Sequence, residues 1–421
     1  MWGPDRVTLA PRAAMMPRMP PRFATVVGSM RWIISLAGLT AVVALSIDMS
    51  LPAQPTLART FGVSSETAQL TLSLFLIGFA LAQLVVGYLS DAWGRRRVIL
   101  GGLAMFSVAS IACAASPSIE VLLACRVLQG VGAAAAPVVA RAMVRDTQPA
   151  AQAARLLSTM LAALAIAPMI APVFGGWLLH IAGWRSIFAA LAVTGTIMFA
   201  LAHLTLVETL AVERRQPASP RGLVRSYARF FTTRGTRLPM LVSCAVFAGQ
   251  FAYIADSPFV LMGGYGVSPD SFGFYFAMTA LALMLGSLAG GRMLRAGRSP
   301  GAMLVLGAWL LVTGGVLVVI GTRTEALGIA GFLIPMIIYF FGAGLTSPSA
   351  TALALEPVPQ IAGTASAVMG CATVISGALA GYETTRIGGS SPTTFAAVVL
   401  VMAVLVLGFA SAAAVLRRRA A

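Results

Sequence analysis

The chain has 421 residues, 58% of them hydrophobic and only 10% charged, and its mean hydropathy of +0.89 excludes a water-soluble globule built on one ordinary core. Its formal net charge of +16 comes from arginine alone, since no lysine occurs; P-loop ATP hydrolysis, pyridoxal-phosphate chemistry and a retinal Schiff base are thereby excluded. Four cysteines standing singly in apolar runs, and two histidines, indicate neither a disulfide framework nor a zinc site.

Residues 1–30 are rich in Pro, Arg and Met, lack the apolar core of a signal peptide, and read as a disordered cytoplasmic tail. Apolar runs long enough to cross a bilayer, about 20 residues each, follow at 31–51, 68–90, 98–115, 119–141, 156–180 and 185–207. A polar linker, 208–238, separates them from six more at 239–262, 272–292, 301–321, 326–349, 363–382 and 393–415, and a short basic tail at 417–421 ends the chain. The expected fold class is all-α and polytopic: twelve transmembrane helices in two six-helix bundles, 31–207 and 239–416. Helices are required because a lipid-exposed backbone must satisfy its own hydrogen bonds. Within the linker, "RGLVRSYARFF" puts Leu223, Tyr227, Phe230 and Phe231 on one helical face, which fits either a helix lying at the membrane surface or a flexible basic tether.

With these spans, 24 of the 29 arginines fall at one end of the molecule. The opposite loops hold Arg59, Arg185, Arg323 and Arg386, and Arg126 falls inside a span. Cytoplasmic loops carry the excess of basic residues, so the arginine-rich end and both termini are expected in the cytoplasm. The positive charge therefore reports orientation, and no nucleic acid partner is expected.

A repeat crosses the linker. "FGVSSET" at 61 is echoed by "YGVSPDS" at 265, and 203 residues beyond Gly87, Gly94 and Arg95 stand Gly290, Gly297 and Arg298. "GVGAAAAP" at 130 has a looser counterpart in "GAGLTSPS" at 342. Two related halves with the same loop order are the economical inference.

An ionisable group inside a span is costly and is by default a functional candidate. Asp48 lies 17 residues after Arg31, and Arg126 about seven residues into a helix running the other way. At 1.5 Å per residue both come to rest in the half of the membrane away from the arginine-rich end. Asp48 could then be a proton-coupling residue tuned by Arg126, or the two could form a static brace. Asp256, 17 residues after Pro239, should reach a similar depth as a second proton site, a cation contact or a solvated residue near the mouth. Met49, Gln54, Gln250, Phe251, Tyr253, Met278 and Tyr339 are candidate substrate-lining residues by position.

The loop "GYLSDAWGRRR" resembles the G-x-L-x-D-x-x-G-R-R signature of the major facilitator superfamily, matched by Gly87, Leu89, Asp91, Gly94, Arg95 and Arg96. The resemblance implies that this cluster latches the inner ends of the two halves in an outward-facing state; in the second copy Leu294 replaces Asp91, so the latch is one-sided. "SIDMSLPAQP" at 46, "CRVLQGVGAAAAP" at 125, "APMIAPVFGGWLL" at 167 and "ADSPFVLMGGYGVSP" at 255 are similar to the Bcr/CflA drug-resistance group of proton antiporters. Ala167, Pro168, Pro172, Gly175 and Gly176 match that family's antiporter motif, with alanine in place of two glycines. The likeness implies a bacterial inner-membrane protein exporting small amphipathic compounds such as bicyclomycin or phenicols. It needs no cofactor beyond the proton as coupling ion; its partners are a small-molecule substrate and the lipid bilayer, and a monomer is expected. Two alternatives stay open: a proton-coupled transporter of one metabolite or sugar, and an intramembrane lipid enzyme, for which the sparse His and Cys offer little chemistry.

Overall fold

The computed structural model describes residues 29–215, 220–324, 327–388 and 391–420; residues 1–28, the bulk of the expected tail at 1–30, lie outside them. The described residues hold twelve helices long and apolar enough to cross a membrane. In chain order these are α1 (Met30–Asp48), continued past a break by the short α2 (Gln54–Phe61), then α3 (Ser65–Trp93), α4 (Arg95–Ala114), α5 (Ile119–Thr147), α6 (Ala150–Ala182) and α7 (Trp184–Thr205). After a linker helix, α8 (Pro220–Thr232), come α9 (Arg237–Pro258), α10 (Pro269–Arg295), α11 (Pro300–Thr324), α12 (Gly328–Leu355), α13 (Ala362–Gly388) and α14 (Pro392–Ala420). Each of the twelve apolar runs is thus a membrane-crossing helix. Most helices run past the apolar run at one or both ends, because polar terminal turns keep their backbone bonds beyond the hydrocarbon. Residues 417–420, read from sequence as a tail, continue α14, and Arg417 pairs with Glu356 at 2.8 Å.

Two helix ends depart from the sequence spans, and both carry a candidate acid. α1 stops at Asp48 and gives way to a 3₁₀ turn, Leu51–Ala53, because Pro52 and Pro55 bring no N–H to continue the ladder. α9 stops at Pro258 and widens into a π turn, Phe259–Gly264, two residues beyond Asp256.

The repeat is visible in the backbone. Gly62 (φ 63°) and Gly266 (φ 69°) take the same left-handed conformation, and the serines that follow, Ser64 and Ser268, each accept the N–H three residues on to cap α3 and α10. Gly94 (φ 100°) and Gly297 (φ 85°) make the matching turns at the other end. Packing repeats likewise: α3–α5, α4–α5, α4–α7 and α1–α6 in the first half answer to α10–α12, α11–α12, α11–α14 and α9–α13 in the second. The halves meet along two crossings related by the same operation, α3 on α13 and α6 on α10.

Those crossings are tight at the end away from the arginines. Across the α6–α10 crossing a Cβ at Gly176 would collide with the Pro269 carbonyl and one at Gly273 with the backbone of Val173, while within the first half one at Gly175 would collide with the Met49 carbonyl just past α1. Small residues let the main chains touch, as expected where helices associate without a hydrophobic driving force. On the second crossing Ser73 Oγ donates to the Ala378 carbonyl at 2.7 Å. The arginine-rich end is open instead, with a cavity of about 380 Å³ between the halves and an adjoining one of about 250 Å³ along the second half.

Candidate functional site

The loop at 87–97 is a single-residue turn. Gly94 alone separates α3 from α4, at a φ that favours glycine, and a Cβ there would also strike the Glu208 carboxylate. Glu208 reaches in from beyond α7 to accept the N–H groups of Arg95 (2.9 Å) and Arg96 (3.3 Å), capping α4 with a negative charge at its positive end. Arg95 pairs with Asp91 at 2.5 Å, with Asp146 at the end of α5 at 3.0 Å, and donates to Ser90 Oγ at 2.6 Å. Arg96 donates to the carbonyls of Leu206 and His203, and Gly87 lines the larger cavity.

Every bond just described stays inside the first half. The inter-half latch implied by the family resemblance is therefore not engaged in this conformation: Asp91 is 52% exposed at the cavity, with the α13 end residues Gly363 and Thr364 on the facing wall. At this end a crossing contact is made by Tyr227 of α8, whose hydroxyl donates to the Leu84 carbonyl of α3 at 2.8 Å. The helix that carries it is seated on the second half, where Phe230 packs with Ala354, Val358 and Ala365. Burial pushes the Tyr227 phenol above its ordinary range, so it remains a donor.

Among the described residues four charged side chains are buried: Asp48, Arg95, Arg126 and Asp256. Arg126 donates to the Thr71 carbonyl (2.7 Å), the Ser46 carbonyl (3.3 Å) and Gln129 Oε1 (2.5 Å), and its guanidinium lies 4.4 Å from the centre of the Phe75 ring. Gln129 passes the chain on to Ser110 Oγ at 2.7 Å. The expected Asp48–Arg126 pair is not formed among the described residues. Their depths agree, but Arg126 meets α1 at Ser46, and two residues on a helix are about 200° apart in azimuth, so Asp48 faces elsewhere. Asp48 is 4% exposed beside the helix break; Asp256 is 1% exposed and accepts from Thr385 Oγ1 of α13 at 3.3 Å.

The antiporter-like stretch lies on the seam. Pro168 and Pro172 sit inside α6, Ala167 is buried, and Gly175 and Gly176 meet the end of α1 and the start of α10.

Of the seven expected lining residues, Gln250 alone borders either of the two cavities just described. Met49 is buried under Gly175, and Gln54 is buried and donates to Thr71 Oγ1 at 3.0 Å. Phe251 stacks on Phe247, 5.9 Å between ring centres, and fills the space beside Gly377 and Gly381. Tyr253 is enclosed by Phe276, Phe332, Phe340 and Phe395, and Tyr339 is packed beneath Gly249. Met278 stands on an exposed stripe of α10 with Phe274, Leu281, Leu285 and Leu288, the pattern of a lipid-facing edge. The walls of these two cavities are hydroxyl-bearing and apolar on the second half, including Ser243, Phe247, Ser347, Met369 and Thr373, and charged on the first, including Arg141 and Arg145. Sequence position missed these; the one available signal was the i, i+4 spacing of the two arginines on one face of α5.

Among the described residues no group of three or more His, Cys, Asp or Glu is placed to hold a metal ion. The geometry is that of a two-bundle carrier with one end sealed and the other open.

Comparison with known proteins accords with that geometry. Residues 36–381 match the sequence profile of the Major Facilitator Superfamily. A chloramphenicol resistance protein of Pseudomonas aeruginosa is 32% identical, with 89% of each chain covered. A bicyclomycin resistance protein homolog of Haemophilus influenzae is 29% identical over 83% of this chain and 87% of its own length. Among solved structures, a D-xylose-proton symporter superposes with a TM-score of 0.69 at 16% identity, covering 90% of this chain and 98% of its own, a likeness of fold alone. With a profile match over most of its length and drug-resistance relatives at about this identity, the chain is a membrane transporter belonging to the Major Facilitator Superfamily, in its drug-resistance branch.

Proposed function

We propose that this protein is a proton-coupled antiporter of the bacterial inner membrane that exports small amphipathic compounds of the phenicol or bicyclomycin kind by alternating access. The observation that carries the reading is the pair of buried carboxyl groups, Asp48 and Asp256, one in each half, each where the opening helix of its bundle breaks at the sealed end. A carboxyl group kept from water in a carrier core is a natural proton site, since it is costly there unless protonated or paired. Asp48 is the primary coupling residue, Asp256 a second one, and Arg126 holds the α1, α3 and α5 backbones in place around the first. Substrate and proton load the carrier in exclusive turns, and the driving force is about 2.3 kcal/mol per charge per 100 mV plus the pH gradient. The arginine-rich end faces the cytoplasm by the positive-inside rule, so the described state is open inward and takes up cargo from the cell. The names of the two resistance relatives support the choice of cargo.

Everted membrane vesicles test this directly. With an imposed pH gradient the native protein should accumulate labelled chloramphenicol. Asp48→Asn should still exchange it downhill but lose gradient-driven accumulation. Accumulation by Asp48→Asn with the native pH profile would refute the assignment.

A further inference from the structure

The larger cavity has two unlike walls. Its second-half wall is uncharged, contributed by Gly363, Thr364, Ser366 and Ala367. Ser366 also lines the adjoining cavity, so the two spaces run together beneath Phe247, Met369 and Val374. The first-half wall holds all the charge: Arg95, Arg141 and Arg145 against Asp91 and Asp146. Both carboxylates are already taken by Arg95, at 2.5 and 3.0 Å, and Asp146 accepts a further bond from Thr209. Arg141 and Arg145 make no ion pair or hydrogen bond with any described residue, and both are exposed into the cavity. With Val138 and Ala142 they form a single face of α5 at the i, i+3, i+4, i+7 spacing.

A topology anchor would point such arginines at lipid headgroups. Here they line the space between the halves. Three guanidinium groups against two carboxylates leave the wall net positive by one charge, focused on the cleft mouth, and the two guanidinium groups without a bonded partner present planar donor pairs that match a carboxylate, sulfonate or phosphate. We propose that Arg141 and Arg145 form an anion-accepting rim that makes the preferred cargo an amphipathic compound with one acidic group, its apolar or hydroxylated body lying along the uncharged wall. This rests on the export reading above and adds to it the charge of the cargo and the two residues that select it.

The test uses a matched pair, chloramphenicol and its monoanionic succinate ester, bound to the full-length purified protein in phosphatidylcholine nanodiscs. The native protein should bind the ester about three- to tenfold more tightly than the parent, and the preference should shrink at 0.5 M salt, where screening is nearly complete beyond about 4 Å. Arg141→Gln with Arg145→Gln should erase the preference while leaving the affinity for chloramphenicol within about twofold. Arg141→Lys with Arg145→Lys, which keeps both charges, should retain most of it and controls for folding. Equal binding of the two compounds by the native protein would overturn the rim and leave the export reading standing. Binding of neither would overturn both. A preference present in phosphatidylcholine but lost on adding phosphatidylglycerol would assign the rim to a lipid phosphate and overturn it as a cargo site.

Discussion

Gly176→Ala isolates the seal between the halves. In the described state the added methyl group falls on the Pro269 carbonyl, which is main chain and cannot swing aside as a side chain would. The helix gains the intrinsic advantage of alanine over glycine, about 0.5 to 1 kcal/mol, but does so in every state of the carrier, so that gain cancels from the conformational balance. What does not cancel is the overlap, present only when α6 and α10 are closed on each other. Overpacking of one methyl group costs about 1 to 3 kcal/mol, which shifts the closed-to-open ratio at that end by about five- to 150-fold. Spin labels at Thr60 and Thr324, exposed residues at the sealed end of the two halves, would report the shift as a longer distance distribution in a background without the four native cysteines. Gly291→Ala is the matched control, since nothing lies within 4 Å of a Cβ at that helical position. A distribution unchanged in Gly176→Ala, or altered equally in Gly291→Ala, would refute the account of the seal.

Three further outcomes are expected. Glu208→Ala removes the charged cap of α4 and should cost about 1 to 2 kcal/mol, read as a fall of a few degrees in the unfolding temperature of detergent-purified protein; an unchanged temperature would count against the capping role. Tyr227→Phe deletes the bond from the linker helix to the Leu84 carbonyl, worth about 0.5 to 1.5 kcal/mol, and should reduce the state open at the arginine-rich end by about two- to twelvefold in the same distance measurement. Because burial raises the phenol's pKa, the Tyr227 contact is fully formed well below that value and is lost only as pH rises through it, so the native population should not change between about pH 6 and 9 on its account.

What could be read from sequence followed from rules acting along one chain. Span number came from apolar run length, because lipid forces each crossing to be a helix. The 87–97 loop was legible because a tight turn restricts the residue that can occupy it, and the echo of 61–67 at 265–271 was legible as a repeat, whose left-handed Gly62 and Gly266 only the structure shows. Facing was not legible. A membrane helix is apolar toward both lipid and protein, so the amphipathic stripe that would have told Met278 from Phe251 is absent. Depth placed Asp48 and Arg126 at one level without giving the azimuth that separates them. The reach of Tyr227 to Leu84 joins residues 143 apart and becomes visible only when the bundles are assembled.

The α6–α10 crossing has a mechanical consequence. Ordinary helix pairs interlock, ridge in groove, and must unmesh before one can turn against the other. Where Gly176 and Gly273 leave main chain bearing on main chain, there are few teeth to disengage. A surface of that kind lets one bundle roll on the other as a shaft turns in a smooth journal, and the His180–Asp270 contact at 3.7 Å is the kind of polar tie that such a roll has to break.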